Sequence, residues 1–121
     1  MFWSEPKGPV ITPAQEALVD RLRSLLADEP VLREVSMFGG RSFMVNEKLA
    51  VGALKSGGLL VRVGAEQHDD LLTRPGAQQA TMGADREMGP GWIEVDAAAI
   101  DSDEGLAAWL DVAMEHNRAA G

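Results

Sequence analysis

The sequence contains no cysteine, and that absence excludes disulfide bonds, thiolate metal sites and cysteine nucleophiles together. It also lacks any uninterrupted apolar run that approaches the ~18 residues typical of a membrane span. The N-terminus has no basic start followed by an apolar stretch, so the sequence does not indicate a secretory signal. We therefore expect a cytoplasmic protein that is neither exported nor inserted in a membrane.

Basic residues are few, since 11 Lys and Arg stand against 19 Asp and Glu and give a net charge of −8. This charge opposes general attraction to nucleic acid, because nonspecific binding depends mainly on Lys and Arg neutralising phosphates. The distribution is uneven. Residues 33–64 hold five basic and two acidic side chains, a formal charge of +3. A mildly basic central segment therefore lies between acidic ends.

The positions of proline and glycine, together with the chain length, predict a short arm followed by one domain. Proline and glycine at Pro6, Gly8 and Pro9 discourage regular structure, so residues 1–11 are predicted to form a flexible N-terminal arm. Residues 12–121 have the size of a single domain with one core. Thr12 and Pro13 are typical of a helix start, and Gln15 is placed to complete a capping box. The first helix is predicted to run to about residue 28.

The rest of the chain alternates between strand and helix patterns. Strands are predicted at 34–38, 41–46, 48–55 and 59–63, a short helix at 66–73, two more strands near 79–82 and 92–95, and a final helix from Asp101 or Ser102 to about Ala119. Both long helices carry one apolar stripe, which predicts that they pack on one face of the sheet. The fold class expected is therefore α+β, with an antiparallel meander of three to four strands at its centre.

Several motifs in a fixed order resemble a known family. They are Met37-Phe38-Gly39-Gly40, Phe43-Met44-Val45-Asn46 with Lys48, Val61-Arg62-Val63-Gly64, Pro75, Met88, the Trp92 strand and Leu106-Ala107-Ala108-Trp109. Together they make residues 14–119 similar to the N-terminal domain of the TfoX/Sxy competence-regulator family. The resemblance implies the same element order and a role in regulating transcription for DNA uptake. In full-length members a second, helical domain follows, whereas this sequence stops at Gly121 with no room for it, so we expect a stand-alone version.

No residues form a recognisable catalytic or cofactor-binding pattern. The serines lie in no nucleophile-elbow motif, and Gly39-Gly40 is interpreted as a bend between strands because no Walker-type lysine follows. Successive helical residues diverge by about 100°, so His68-Asp69-Asp70 are interpreted as a solvated helix start and not as a metal site. We predict a noncatalytic protein without cofactor or metal.

One face of the meander is predicted to be mixed in character, and it is the candidate interaction surface. Strict alternation places Leu60 and Arg62 opposite Leu59, Val61 and Val63, and places Met44 opposite Phe43 and Val45. The candidate residues are Arg41, Met44, Leu60 and Arg62. The leading hypothesis is a regulatory interaction module that binds a protein partner or a second copy of itself. The alternatives are a nucleic-acid-contacting domain that uses the basic segment, and a small-molecule site or unrecognised enzyme under residues 83–91.

Overall fold

The computed structural model describes residues 12–29, 32–37, 40–81 and 87–119. These residues form three α-helices and six strands in chain order: α1 (Pro13–Leu25), β1 (Leu32–Met37), β2 (Gly40–Val45), β3 (Lys48–Leu54), β4 (Leu59–Arg62), α2 (His68–Leu71), β5 (Ala77–Gln79), β6 (Trp92–Val95) and α3 (Asp103–Ala119). Short 3-10 turns at 65–67 and 97–100 precede α2 and α3. The predicted α+β class and element order are confirmed.

Helix α1 begins as its sequence predicts. The Thr12 side chain accepts a hydrogen bond from the Gln15 N–H at 3.1 Å, and Pro13 occupies the first helical position. The predicted capping-box role of Gln15 is wrong. Its buried side chain instead donates to the carbonyl oxygen of Ala53 in β3 at 2.8 Å, because the first turn of α1 lies directly on the sheet. Gln15 therefore fixes the helix to the strand.

All six strands pair antiparallel in one sheet of order β1-β2-β3-β4-β6-β5. The meander covers β1 to β4, as predicted. The last two strands extend the sheet beyond β4 in reversed order. Strand β6 pairs with β4, and the three-residue β5 pairs with β6 and lies at the edge. The consequence for the site is that β6 brings Trp92 next to Arg62 on the neighbouring strand.

The core fills the space between one face of the sheet and the helices α1 and α3. A cross-strand row on this face contains Phe43, Val51, Val61 and Ile93, all fully buried. Both helices contribute to the same apolar cluster, α1 through Leu18 and Leu22 and α3 through Leu106, Trp109 and others. The prediction that the long helices share one face is therefore confirmed. We refer to the opposite face of the sheet as the second face.

A bulge in β3 changes which side chains reach the second face. Phe43 pairs with Val51, but the next residue, Met44, pairs with Leu49, so Ala50 is an extra residue. Ala50 and Val51 both belong to the buried core cluster, as expected when a bulge turns two successive side chains to one side. Leu49 consequently lies beside Met44 on the second face.

The β2–β3 turn has both central residues at positive φ, Asn46 at 54° and Glu47 at 65°. This is the pattern of the type I′ turn, whose twist suits a tight hairpin. The predicted arm at 1–11 and residues 83–86 of the segment 83–91 lie outside the described residues. Within the described part of the chain, no helix has both the length and the apolar character needed to cross a bilayer.

Candidate functional site

A cleft of about 330 Å³ opens at one end of the second face. Four strand residues form its floor: Met44, Leu49, Arg62 and Trp92. Its walls come from the β2–β3 turn and from the end of α3: Glu47, Lys48, His116 and Asn117. The cleft therefore combines three large apolar side chains with one guanidinium group, and its floor is drawn from four different strands.

The guanidinium of Arg62 lies over the ring of Trp92, with its central carbon 4.6 Å from the ring centroid. Gly91 makes this placement possible. A β-carbon built on Gly91 would lie 2.7 Å from Nη1 of Arg62 and 3.0 Å from the carbonyl oxygen of Val63. Gly91 also has a φ of 95°, a conformation that favours glycine. Stacking restricts the planar group while its edge N–H donors remain available for an acceptor.

The end of α3 is fastened to the β2–β3 hairpin by Asn117, which is 2% exposed. Its side-chain amide donates to the carbonyl oxygen of Val45 at 3.0 Å and accepts from Asn46 at 3.3 Å. The Nζ of Lys48 donates to the backbone carbonyl of Asn117 at 2.8 Å, where a cation compensates the partial negative charge of a helix C-terminus. This wall of the cleft is therefore held by three hydrogen bonds.

His68 supports the backbone at Gly91, the residue that lies against Arg62. The side chain is 5% exposed, and its Nδ1 accepts a 2.9 Å hydrogen bond from the backbone N–H of Gly91. Because Nδ1 is an acceptor here, the ring proton lies on Nε2, which donates to Oε1 of Gln79 at 2.8 Å. The interpretation of His68 as part of a solvated helix start is wrong, although Asp69 and Asp70 are exposed.

The structure brings together some of the predicted interaction residues and separates others. Met44 and Arg62 are half-buried and line the same cleft. Leu60 also lies on the second face, but it is 2% exposed and so supports the sheet without offering contact area. Arg41 lies in a cross-strand row with Ala53, whose side chain belongs to the core. Arg41 is therefore on the face of the helices.

The position of Arg41 agrees with its electrostatic neighbours. Glu34 of β1 accepts two hydrogen bonds from Arg23 of α1, at 2.7 and 2.9 Å. Hydrogen bonding to Arg23 lowers the pKa of the Glu34 carboxyl, with a smaller contribution from the charge of Arg41. Arg41 thus shares the edge of the helix face with an ion pair between α1 and β1.

The five basic residues of the central segment do not form one surface. Arg41 is on the helix face, whereas Arg62 is on the second face. Lys48 and Lys55 lie at opposite ends of β3, a seven-residue strand about 20 Å long, and Arg33 is paired with Glu47 at 2.8 Å. The nucleic-acid hypothesis required a contiguous basic surface, and this placement does not supply one.

Metal chemistry has no support among the residues that the structure describes. No group of three or more His, Asp or Glu side chains there lies close enough together to hold a metal ion. His68 is engaged with Gly91 and Gln79, and His116 lies on α3 at the cleft.

Several residues of the site are absent from the sequence-based candidates: Leu49, Gly91, Trp92 and His116. Alternation in the last strand, with Ile93 and Val95 apolar, could have assigned Trp92 to the same face as Glu94. Its pairing with Arg62 depends on the order of strands in the sheet, which alternation does not reveal. The position of Leu49 depends on the bulge at Ala50, and no glycine stands at that position to indicate a bulge in the sequence.

The sequence is similar to a known protein family over most of its length. The family model described as the TfoX N-terminal domain matches residues 24–117, which is most of the chain and includes every residue of the cleft. No curated protein and no solved structure matched the sequence. The family is regulatory and competence-related in general terms, and it is not known as catalytic. The chain belongs to the TfoX N-terminal domain family.

Proposed function

We propose that this chain is a noncatalytic regulatory module that binds a protein partner through the second face of its sheet. The observation that carries the proposal is the cleft in which Met44, Arg62 and Trp92 of the second face meet the end of α3. Met, Arg and Trp are the residue types enriched at the centres of protein interfaces, where a few of them supply most of the binding energy.

The partner is a different protein, for electrostatic reasons. Each copy of this chain carries a formal charge of −8, so two copies repel one another unless a large interface compensates. The cleft contains Arg62, which has no ion pair among the residues that the structure describes, so it attracts a group of negative charge. A second copy bound at this face is the alternative that the following experiment tests.

Site-specific photo-cross-linking tests the proposal. A benzophenone amino acid is placed at Met44 in the cleft, or at Lys55, which is exposed in the turn at the other end of β3. We expect position 44 to capture one protein reproducibly and position 55 not to capture it. The captured protein is then purified and titrated with the unlabelled chain, so that capture alone does not decide the outcome.

Charge reversal provides the matched pair of variants for that titration. Arg62→Glu and Lys55→Glu change the net charge equally, but only the first alters the cleft. We expect Arg62→Glu to weaken binding by about 30-fold or more, the effect of losing an interface hot spot, and Lys55→Glu to leave the Kd within about twofold. Equal effects of the two reversals, capture from both positions, or capture of a second copy would contradict the proposal.

A further inference from the structure

The cation of the cleft is available for a ligand, whereas the other charges in its walls are already engaged. Lys48 donates to the carbonyl oxygen of Asn117, and Glu47 accepts from Arg33. Arg62 is stacked on Trp92, and no ion pair joins it to another described residue, including Glu94, which lies diagonally across the β4–β6 ladder. An acceptor entering the cleft therefore finds one preoriented guanidinium group.

A stacked guanidinium favours a particular kind of acceptor. Contact with Trp92 holds the group over the ring, and Gly91 leaves room for Nη1. A planar fork of N–H donors matches the two oxygens of a carboxylate, which it binds through two parallel hydrogen bonds. The remaining floor, Met44 and Leu49 with Trp92, is apolar and suits an uncharged side chain next to that carboxylate.

The size of the cleft limits what can fill it. Its volume of about 330 Å³ lies near the lower end of the range for small-molecule sites, and it is open on one side. Such a volume accommodates one or two anchoring side chains and not a folded surface. An extended segment can place these side chains in the cleft through its open side.

From these observations we infer that the cleft binds an extended segment of a partner protein that carries an aspartate or glutamate next to a large apolar residue. The carboxylate pairs with Arg62, and the apolar side chain lies on Met44, Leu49 and Trp92. This inference rests on the proposed function and names the chemistry that the partner must present. The chain as a whole carries a net negative charge, so its overall field does not attract an acidic segment. The attraction comes from Arg62 at short range, where screening by salt is weakest.

Selection from a random peptide library tests the inference without knowledge of the partner. A library of 12-residue peptides displayed on phage is selected against the full chain, and in parallel against Arg62→Gln. Arg41→Gln is the matched control, because Arg41 is on the helix face of the same sheet. We expect the wild type and Arg41→Gln to enrich an acidic residue beside Leu, Phe or Trp, and Arg62→Gln to lose that enrichment.

Calorimetric titration of one enriched peptide then measures the role of its carboxylate. Replacing the Asp or Glu of the peptide by Asn or Gln should weaken binding by about tenfold, the effect of removing a charge-assisted hydrogen bond. The same replacement should have no effect on binding to Arg62→Gln. Hexanoate serves as a free acid of similar chemistry, and we expect it to bind at least about tenfold more weakly than the peptide, because it lacks the contacts of the flanking residues.

Each alternative result overturns the inference. Enrichment without an acidic residue, or enrichment that survives Arg62→Gln, would show that Arg62 does not recognise a carboxylate. Hexanoate binding as tightly as the peptide would make the cleft a site for small acids. In all these cases the cross-linking at Met44 can still succeed, so failure of the inference is distinguishable from failure of the proposed function.

Discussion

Replacing His68 with alanine should lower the free energy of unfolding by about 2 to 5 kcal/mol. The ring is 5% exposed, so its removal leaves a cavity and also leaves the buried N–H of Gly91 without its acceptor. Oε1 of Gln79 loses its donor at the same time. Denaturation in urea followed by circular dichroism measures the loss. The amide of Gly91 should exchange with solvent faster in the variant, which localises the effect.

His68→Asn is the control that separates the hydrogen bond from packing. The amide oxygen of asparagine can occupy nearly the position of Nδ1 and accept from Gly91, although the side chain is smaller. We expect this variant to recover part of the stability lost in His68→Ala and to slow exchange at Gly91. If the two variants were equally unstable and exchanged equally fast, the hydrogen bond to Gly91 would have no energetic role.

Gly105→Ala should destabilise the protein by about 1 to 3 kcal/mol, although alanine is the better helix former. Gly105 lies in the first turn of α3, where the Ser102 hydroxyl accepts from its N–H at 3.0 Å. A β-carbon at this position would lie 2.5 Å from the carbonyl oxygen of Ala99, in the 3-10 turn before the helix. Backbone cannot rotate away as a side chain can, so α3 must shift.

The matched control lies one turn further along the same helix. Ala108 is exposed, so Ala108→Gly should follow intrinsic helix propensity and cost about 1 kcal/mol. Glycine is thus preferred at position 105 and alanine at position 108. Thermal unfolding of both variants tests this reversal, and a stabilised Gly105→Ala would show that the close approach of α3 to Ala99 is not limiting.

Local signals in the sequence predict much of the fold because their causes are local. Thr12 and Pro13 start α1 through capping and fixed φ, and the apolar stripes of α1 and α3 follow the helical period. Alternation in β4 correctly separated Arg62 from Val61, because successive side chains of a strand point to opposite faces. Ser102, which accepts from the N–H of Gly105, was one of the two starts predicted for α3.

Two of the errors occur where long-range placement decides, whereas the error at Arg41 contradicts the local alternation of its own strand. Arg41 was grouped with Met44 by chemistry, but the two residues are three positions apart on β2 and so lie on opposite faces. Gln15 fitted a local capping pattern, yet the nearby carbonyl of Ala53 in β3 determined its role. His68 fitted a solvated helix start, yet the loop that returns to β6 covers it with Gly91. Neither Ala53 nor Gly91 is close in sequence to the residue that it contacts.

The cleft illustrates the same division. Met44 and Arg62 were predicted to share a face from the alternation of β2 and β4, and both line the cleft. Trp92 joins them only because β6 is inserted next to β4, and Leu49 only because β3 has an extra residue at Ala50. Periodicity therefore assigns side chains to a face, whereas strand order and bulges assemble them into a site.

Thiol labelling of two single-cysteine variants tests the placement of the cleft most directly, because the natural sequence contains no cysteine that would interfere. Arg62→Cys and Val61→Cys change adjacent residues of β4, and Val61 is fully buried. Reaction rates with a maleimide are measured under native conditions and divided by the rates in denaturant. The structure predicts that the thiol of the Arg62→Cys variant reacts at least about 100-fold faster on this scale than the thiol of the Val61→Cys variant, which reacts only when the protein opens. Equal protection of the two thiols would place Arg62 beneath a helix and contradict the account.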